Sequence, residues 1–173
     1  RGCDGIIHLA AHLGVRRTEV NSLKCIDINI NGTKKVLDAA IIAGINKIVF
    51  SSSSEVYGDQ NVELISEICP RNPKSIYGVT KLAAEEYLQA YNSYYDLDYS
   101  ILRYFNVYGD GMSLEGAYKL VIPVFIEQRL NDEPMTIRGD GEQRRDFTHV
   151  DDIVEAMVRC VYIGKWGSTF ELG

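Results

Sequence analysis

Long hydrophobic runs are missing from this 173-residue chain: no apolar stretch is long enough to cross a bilayer, and no charged leader precedes one. Basic residues are in deficit too. Lysine and arginine number 18 against 24 acidic residues, and the net charge of -6 argues against nucleic acid or an anionic membrane as partner. A local basic pocket for phosphate stays open. Paired cysteines are also lacking. Cys3, Cys25, Cys69 and Cys160 show no CxxC and no short zinc-ligand spacing, so neither a metal site nor a disulfide framework is expected. The composition predicts reduced, mostly buried thiols in a cytoplasmic protein. Repeats and low-complexity tracts are absent.

What is present suffices for one hydrophobic core, with charged and apolar fractions ordinary for a globular domain. Both ends look cut. Gly5-Ile6-Ile7-His8-Leu9 follows Arg1 almost at once, and Thr169 to Gly173 is an extended apolar run without an obvious partner. Strands of a parallel sheet are buried on both faces, so the expectation is the middle part of a larger protein.

The chain alternates strand and helix. Ile6 to Ala10 reads as a strand, and Ile28 to Ile42 as a helix with Val36, Leu37, Ala40 and Ile41 at helical spacing and Gly44 as its terminator. Lys47 to Ser51 is a second strand. Pro70 and Pro73 precede a long helix carrying Tyr77, Lys81, Leu88 and Tyr91, and Tyr99 to Tyr104 is a third strand. This order predicts an α/β fold, a parallel sheet with helices on both faces. Further on, Leu120 to Leu130 reads as a helix, Met135 to Arg138 as a short strand before a Gly139-Asp140-Gly141 turn, and Asp151 to Tyr162 as a helix with aspartates at its positive end. The broken rhythm predicts a division into 1–110, part of a nucleotide domain, and 111–173, interleaved with part of a smaller substrate domain.

Ligands of open parallel sheets bind beyond the carboxyl ends of the strands. Tyr77 and Lys81, four apart, share one helical face. A neighbouring ammonium favours the phenolate, so the pair suits a base for a sugar or alcohol hydroxyl. The plain alternative is two solvated residues on a helix; the preceding Ser51-Ser52-Ser53-Ser54 cluster closing an apolar strand counts against it. Ser53 is the candidate to hydrogen-bond a substrate oxygen. Glu55 is either a surface charge or a sugar contact. In His8-Leu9-Ala10-Ala11 the small residues either admit a flat ligand or simply pack under a helix, and His8 reads as structural. Asn106 is either a turn residue or a ligand for a sugar or diphosphate. Arg138, Arg144 and Arg145 form either a diphosphate site or a solvated patch in which Asp146 neutralises Arg144 or Arg145.

Taken in order, six segments resemble the extended short-chain dehydrogenase/reductase family, specifically its nucleotide-sugar epimerases and dehydratases. They are His8 to Ala11, Asp27 to Thr33 with Asn29, Ser51 to Gly58, Tyr77 to Lys81, Arg103 to Gly109, and Arg145-Asp146-Phe147 leading to Val150-Asp151-Asp152. The resemblance implies a Rossmann-like domain holding NAD and a smaller domain holding a nucleoside diphosphate sugar. It implies Tyr77 as the catalytic base, Lys81 on the nicotinamide ribose, and Ser53 on the reacting hydroxyl. Leu9, Ala10, Ala11, Ser51, Ser52 and Tyr104 fall along the cofactor, with Asn29 ordering the nearby loop. Ser53, Glu55, Asn106, Val121, Ile122, Arg138 and Arg145 fall to the substrate. It also implies a homodimer through the helices containing Tyr77 and Ile41, where Ile42, Leu88 and Tyr91 either line the seam or complete the subunit's own core.

One large departure stands out. The glycine-rich βα unit that cradles the NAD pyrophosphate, with the acidic residue for the adenosine ribose, has no counterpart here. The expectation is a fragment that binds NAD poorly by itself. Within the family, 4,6-dehydratases carry an Asp-Glu pair after the catalytic hydroxyl residue, whereas this chain has Ser54-Glu55, which weakens dehydration. Glu55 keeps decarboxylation of UDP-glucuronate open. Arg144-Arg145-Asp146-Phe147 resembles the epimerases, so epimerisation at C4 of a UDP-sugar is the first expectation. A non-catalytic dinucleotide-binding protein is the second class, and it predicts loss of Tyr77, Lys81 or Ser53. All three are present.

Overall fold

The computed structural model describes residues 2–13, 18, 20–62, 64–112, 120–137 and 139–173. Four strands form one parallel sheet: β1 (Ile6–His8), β2 (Lys47–Ser53), β3 (Asp98–Tyr104) and β6 (Ser168–Leu172), in the order β1-β2-β3-β6. The register places Phe50 beside His8 and Ile101, and Ser53 beside Tyr104. Two helices cover one face, α2 (Gly32–Ala43) and α3 (Ile76–Tyr95), through a cluster of Leu37, Ala40, Ile48, Phe50, Ala84, Leu88, Leu97 and Ile101. The opposite face receives α5 (Val150–Ile163), whose Ile153 is buried. The strands are apolar for that reason: both sides lie under helices. Rossmann-type α/β architecture is thus observed.

The predicted elements shift in places. β1 ends at His8, before Ala10. The first helical segment begins earlier than Ile28, at α1 (Ser22–Ile26), and passes through a π-helical turn (Asp27–Asn31) into α2. Gly44 ends α2 in the left-handed region at φ 71°. No strand spans Met135 to Ile137. Their side chains are exposed, and Thr136 is tied by backbone and hydroxyl to Gln128 of α4 (Val121–Leu130). Arg138 lies outside the described residues. The terminal run does have a partner, since β6 pairs with β3 from Ser168 to Leu172. A small second sheet was not foreseen: β4 (Asn106–Tyr108) and β5 (Phe147–His149) pair in parallel.

The thiols are less buried than expected. Cys25 is buried, Cys69 and Cys160 are half-buried, and Cys3 is exposed. Leu88 and Tyr91 belong to the subunit's own core, with Ile41 packed against it, whereas Ile42 is 87% exposed. Among the described residues, no helix is long and apolar enough to cross a membrane and no group of histidine, cysteine or carboxylate side chains could hold a metal ion.

Candidate active site

α3 starts where β2 stops. Ser75 caps the helix, its hydroxyl accepting from the Gly78 amide at 3.0 Å. That hydroxyl also donates to Glu55 Oε2 at 3.0 Å, tying the cap to the 3₁₀ turn (Ser54–Val56) that follows β2. Contact there is tight: a Cβ on Gly78 would fall 2.5 Å from the Glu55 carbonyl oxygen. The first turn of α3, with half-buried Tyr77, is thereby seated against the strand end that carries Ser53. Ser53 closes β2 and accepts from the Glu55 amide at 3.2 Å.

Lys81 follows one turn later and is buried. Its Nζ donates to the Ser51 carbonyl at 2.6 Å and lies 5.7 Å from the centre of the Tyr77 ring and 4.9 Å from that of Phe50. Burial pulls this ammonium down to about 8. His8 behaves as the structural histidine expected, paired with the Thr33 hydroxyl at 3.0 Å; burial, then the Lys81 charge, lower its pKa. Burial pushes the Tyr104 phenol up to about 12.

Asn29 anchors the described start of the loop after β1 at His12. Asn29, buried in the π turn, accepts from the His12 amide at 2.6 Å and donates to the His12 carbonyl and to Thr80 Oγ1, each at 3.0 Å. π-helical turns recur at functional sites in proteins. The fixed segment leaves Leu9 and Ala10 exposed and Ala11 half-buried at the carboxyl end of β1.

A groove of about 1010 Å³ brings together Glu55, Lys74, Asn106, Arg144 and Arg145. Asn106 also serves the fold, donating from Nδ2 to the Asp146 carbonyl at 2.7 Å. Arg145 is exposed and donates to the Arg144 carbonyl at 2.6 Å. Val121 and Ile122 sit in the first turn of α4 and do not line this groove. Ser51 contributes its carbonyl to Lys81, and the buried Ser52 hydroxyl donates to Glu85 Oε1 at 2.5 Å. Glu85, Arg103 and Tyr57 form a buried polar network beneath the site that sequence reading missed. The available signal was the 77-81-85 spacing, which sets Glu85 on the inward face of α3.

A parallel sheet whose strand ends carry a serine, a tyrosine and a lysine on the adjoining helix defines a dinucleotide-type α/β protein. The chain belongs to the NAD dependent epimerase/dehydratase family, whose model it matches over residues 1–173. It is 38% identical to the UDP-glucose 4-epimerase of Mycolicibacterium smegmatis over 97% of this chain and 54% of that protein. In structure it resembles a UDP-N-acetylglucosamine 4-epimerase from Methanobrevibacter ruminantium, solved with UDP-N-acetylmuramic acid. The TM-score is 0.94 at 36% identity, covering 98% of this chain and 55% of that one. It also resembles a UDP-glucuronic acid 4-epimerase from Bacillus cereus, solved with UDP-glucuronic acid and NAD. There the TM-score is 0.87 at 35% identity, over 98% and 54% of the two chains. The chain spans about half the length of these relatives.

Proposed function

We propose that the protein containing this chain inverts C4 of a UDP-sugar, with UDP-glucose/UDP-galactose or their N-acetyl forms as substrates. One observation carries the reading. The buried Lys81 ammonium stands beside the Tyr77 ring at the carboxyl end of β2, where a phenolate needs a counter-charge. Tyr77 removes the proton of the C4 hydroxyl, Lys81 stabilises the phenolate, and Ser53 orients the hydroxyl. Bound NAD supplies the acceptor and later the donor of the C4 hydride. The chain fits that cofactor: Leu9, Ala10 and Ala11 present small or open positions at the strand end, and Asn29 fixes their loop. Asn106 and Arg145, sharing a groove with Glu55, suit the diphosphate and the sugar.

A decarboxylase reading rests on Glu55. Its carboxylate is engaged by the Ser75 cap of α3, which gives it a structural duty and favours the epimerase. Homodimerisation through α2 and α3 is supported by the exposed Ile42, Tyr94 and Tyr95. The test is product analysis with the full-length protein on UDP-glucose, UDP-N-acetylglucosamine, UDP-glucuronate and dTDP-glucose. Interconversion of UDP-glucose and UDP-galactose, abolished in Tyr77→Phe, is expected. Unchanged turnover in that variant, or release of CO₂ from UDP-glucuronate as the main reaction, would overturn the reading.

A further inference from the structure

Glu85 lies one turn beyond Lys81 on the face of α3 that also carries Tyr77. Its carboxylate is fully buried and is met by groups from three other segments. Arg103 of β3 donates twice, Nε to Oε1 at 3.0 Å and Nη2 to Oε2 at 2.6 Å. Ser52 of β2 donates to Oε1 at 2.5 Å. Arg71, ahead of α3, reaches Oε2 at 3.4 Å. Arg103 is in turn held by the Tyr57 hydroxyl at 2.5 Å, with its guanidinium 4.8 Å from the centre of that ring. Burial opposes the charge on Arg103, but Glu85 more than offsets this and keeps the guanidinium above its ordinary range.

A buried ion pair is weak evidence for stability, because well-packed apolar residues of similar volume often serve as well. A two-pronged guanidinium–carboxylate contact differs from them in fixing geometry. Two contacts at different angles, Nε to Oε1 and Nη2 to Oε2, restrict the shift of α3 along β3 in more than one direction. The placement is specific. Lys81 and Glu85, one turn apart, grip Ser51 and Ser52, which are adjacent on β2. The grip on Ser52 therefore sets the height at which Lys81 meets the Ser51 carbonyl.

We propose that Glu85 is a positioning residue: through Ser52 and Arg103 it seats α3 on β2 and β3 and so places the Lys81 ammonium beside Tyr77. This rests on the reading of Tyr77 as the base. The groups facing Lys81 are Tyr77 and Glu85 on its own helix, His8 from β1, Phe50 from β2 and Cys25 from α1.

The experiment uses the full-length protein with NAD bound and compares Glu85→Gln, Ser52→Ala and wild type. Phenolate absorbance of Tyr77 is titrated by difference against Tyr77→Phe, alongside kcat and KM. A displaced ammonium stabilises the phenolate less, so the Tyr77 midpoint should rise in both variants. Loss of the Glu85 charge lowers that midpoint directly but also lowers the Lys81 pKa, which raises it, so Ser52→Ala, which changes no charge, is the variant that separates placement from charge removal. Ser52→Ala changes no charge and should lower kcat about 3- to 10-fold with KM within about twofold; Glu85→Gln should lower it further. Ser52→Ala decides where Glu85→Gln fails to fold or the two variants disagree. A midpoint that stays or falls in Ser52→Ala, with kcat unchanged, overturns the proposal. Turnover surviving in Tyr77→Phe would instead remove Tyr77 as base, while the titration would still report whether Glu85 places Lys81.

Discussion

The Lys81 ammonium donates to the Ser51 backbone carbonyl across 2.6 Å, so the long helix grips the strand beside it by an inward-pointing cation. This contact does not compensate for burial, which holds the lysine near 8 against an ordinary 10.5.

Replacing that lysine should therefore separate stability from activity. A depressed ammonium means that the unfolded chain binds more protons between pH 8 and 10.5. The cost to the folded state is full below pH 8 and is relieved as pH rises to 10.5. At about 1.4 kcal/mol per unit it is on the order of 3 kcal/mol. Lys81→Met in the full-length protein should raise the thermal unfolding midpoint at pH 7, with the gain shrinking above pH 8. Turnover should fall about 100-fold or more. A variant less stable than wild type at pH 7 would show that the buried charge is better compensated than its surroundings indicate.

The parts of the fold legible in the sequence are those with both periodicity and punctuation. β2 and β3 fall within two residues of expectation, and α3 carries the residues expected of it, because apolar runs meet Gly44, Pro73 or the serine cluster. Met135 and Ile137 mislead for the opposite reason: their apolar side chains face solvent, so alternation there reports no buried face. The π turn was not legible: its Asn29 is tied to His12 and Thr80, residues 17 and 51 positions away, and local periodicity carries no trace of such contacts. The adjacency of Tyr77 and Lys81 was readable from their spacing. The use of Ser52 and Arg103 was not, because it depends on Glu85 reaching two strands at once.

Gly78 offers a test of how the site is seated. In an α-helix alanine is preferred to glycine by about 1 kcal/mol, so propensity alone predicts a gain for Gly78→Ala. The added Cβ would lie 2.5 Å from the Glu55 carbonyl oxygen and 3.0 Å from Pro73 Cβ. Backbone must then move, at a cost of about 1–3 kcal/mol, and the steric effect wins. The first turn of α3 should back away from the 3₁₀ turn, taking Tyr77 away from Ser53. We expect a lower unfolding midpoint and about a 10-fold or greater loss of kcat. A stabilised protein with full activity would mean that this contact does not set the position of Tyr77.

Asn29 gives the last prediction, because its amide does what a carboxylate cannot. Its Nδ2 donates to the His12 carbonyl and to Thr80 Oγ1, and its Oδ1 accepts from the His12 amide. Asn29→Asp keeps the size and the acceptor but loses both donations, and it faces the His12 carbonyl with an unpaired buried charge. Such a change costs about 1–3 kcal/mol for the lost partners and more for the charge. Freed from Asn29, the segment from Leu9 to His12 keeps only the longer Cys25 thiol contacts as a link toward Thr80 of α3, at the edge where the cofactor is proposed to lie. The full-length variant should therefore unfold at lower temperature and retain NAD less well, with its affinity falling about 10-fold or more, while Asn29→Ala should be milder because it introduces no charge. NAD retention measured by gel filtration and absorbance, beside thermal unfolding, distinguishes the cases. Wild-type retention in Asn29→Asp, with only the unfolding midpoint lowered, would confine Asn29 to stability and detach the loop after β1 from cofactor binding.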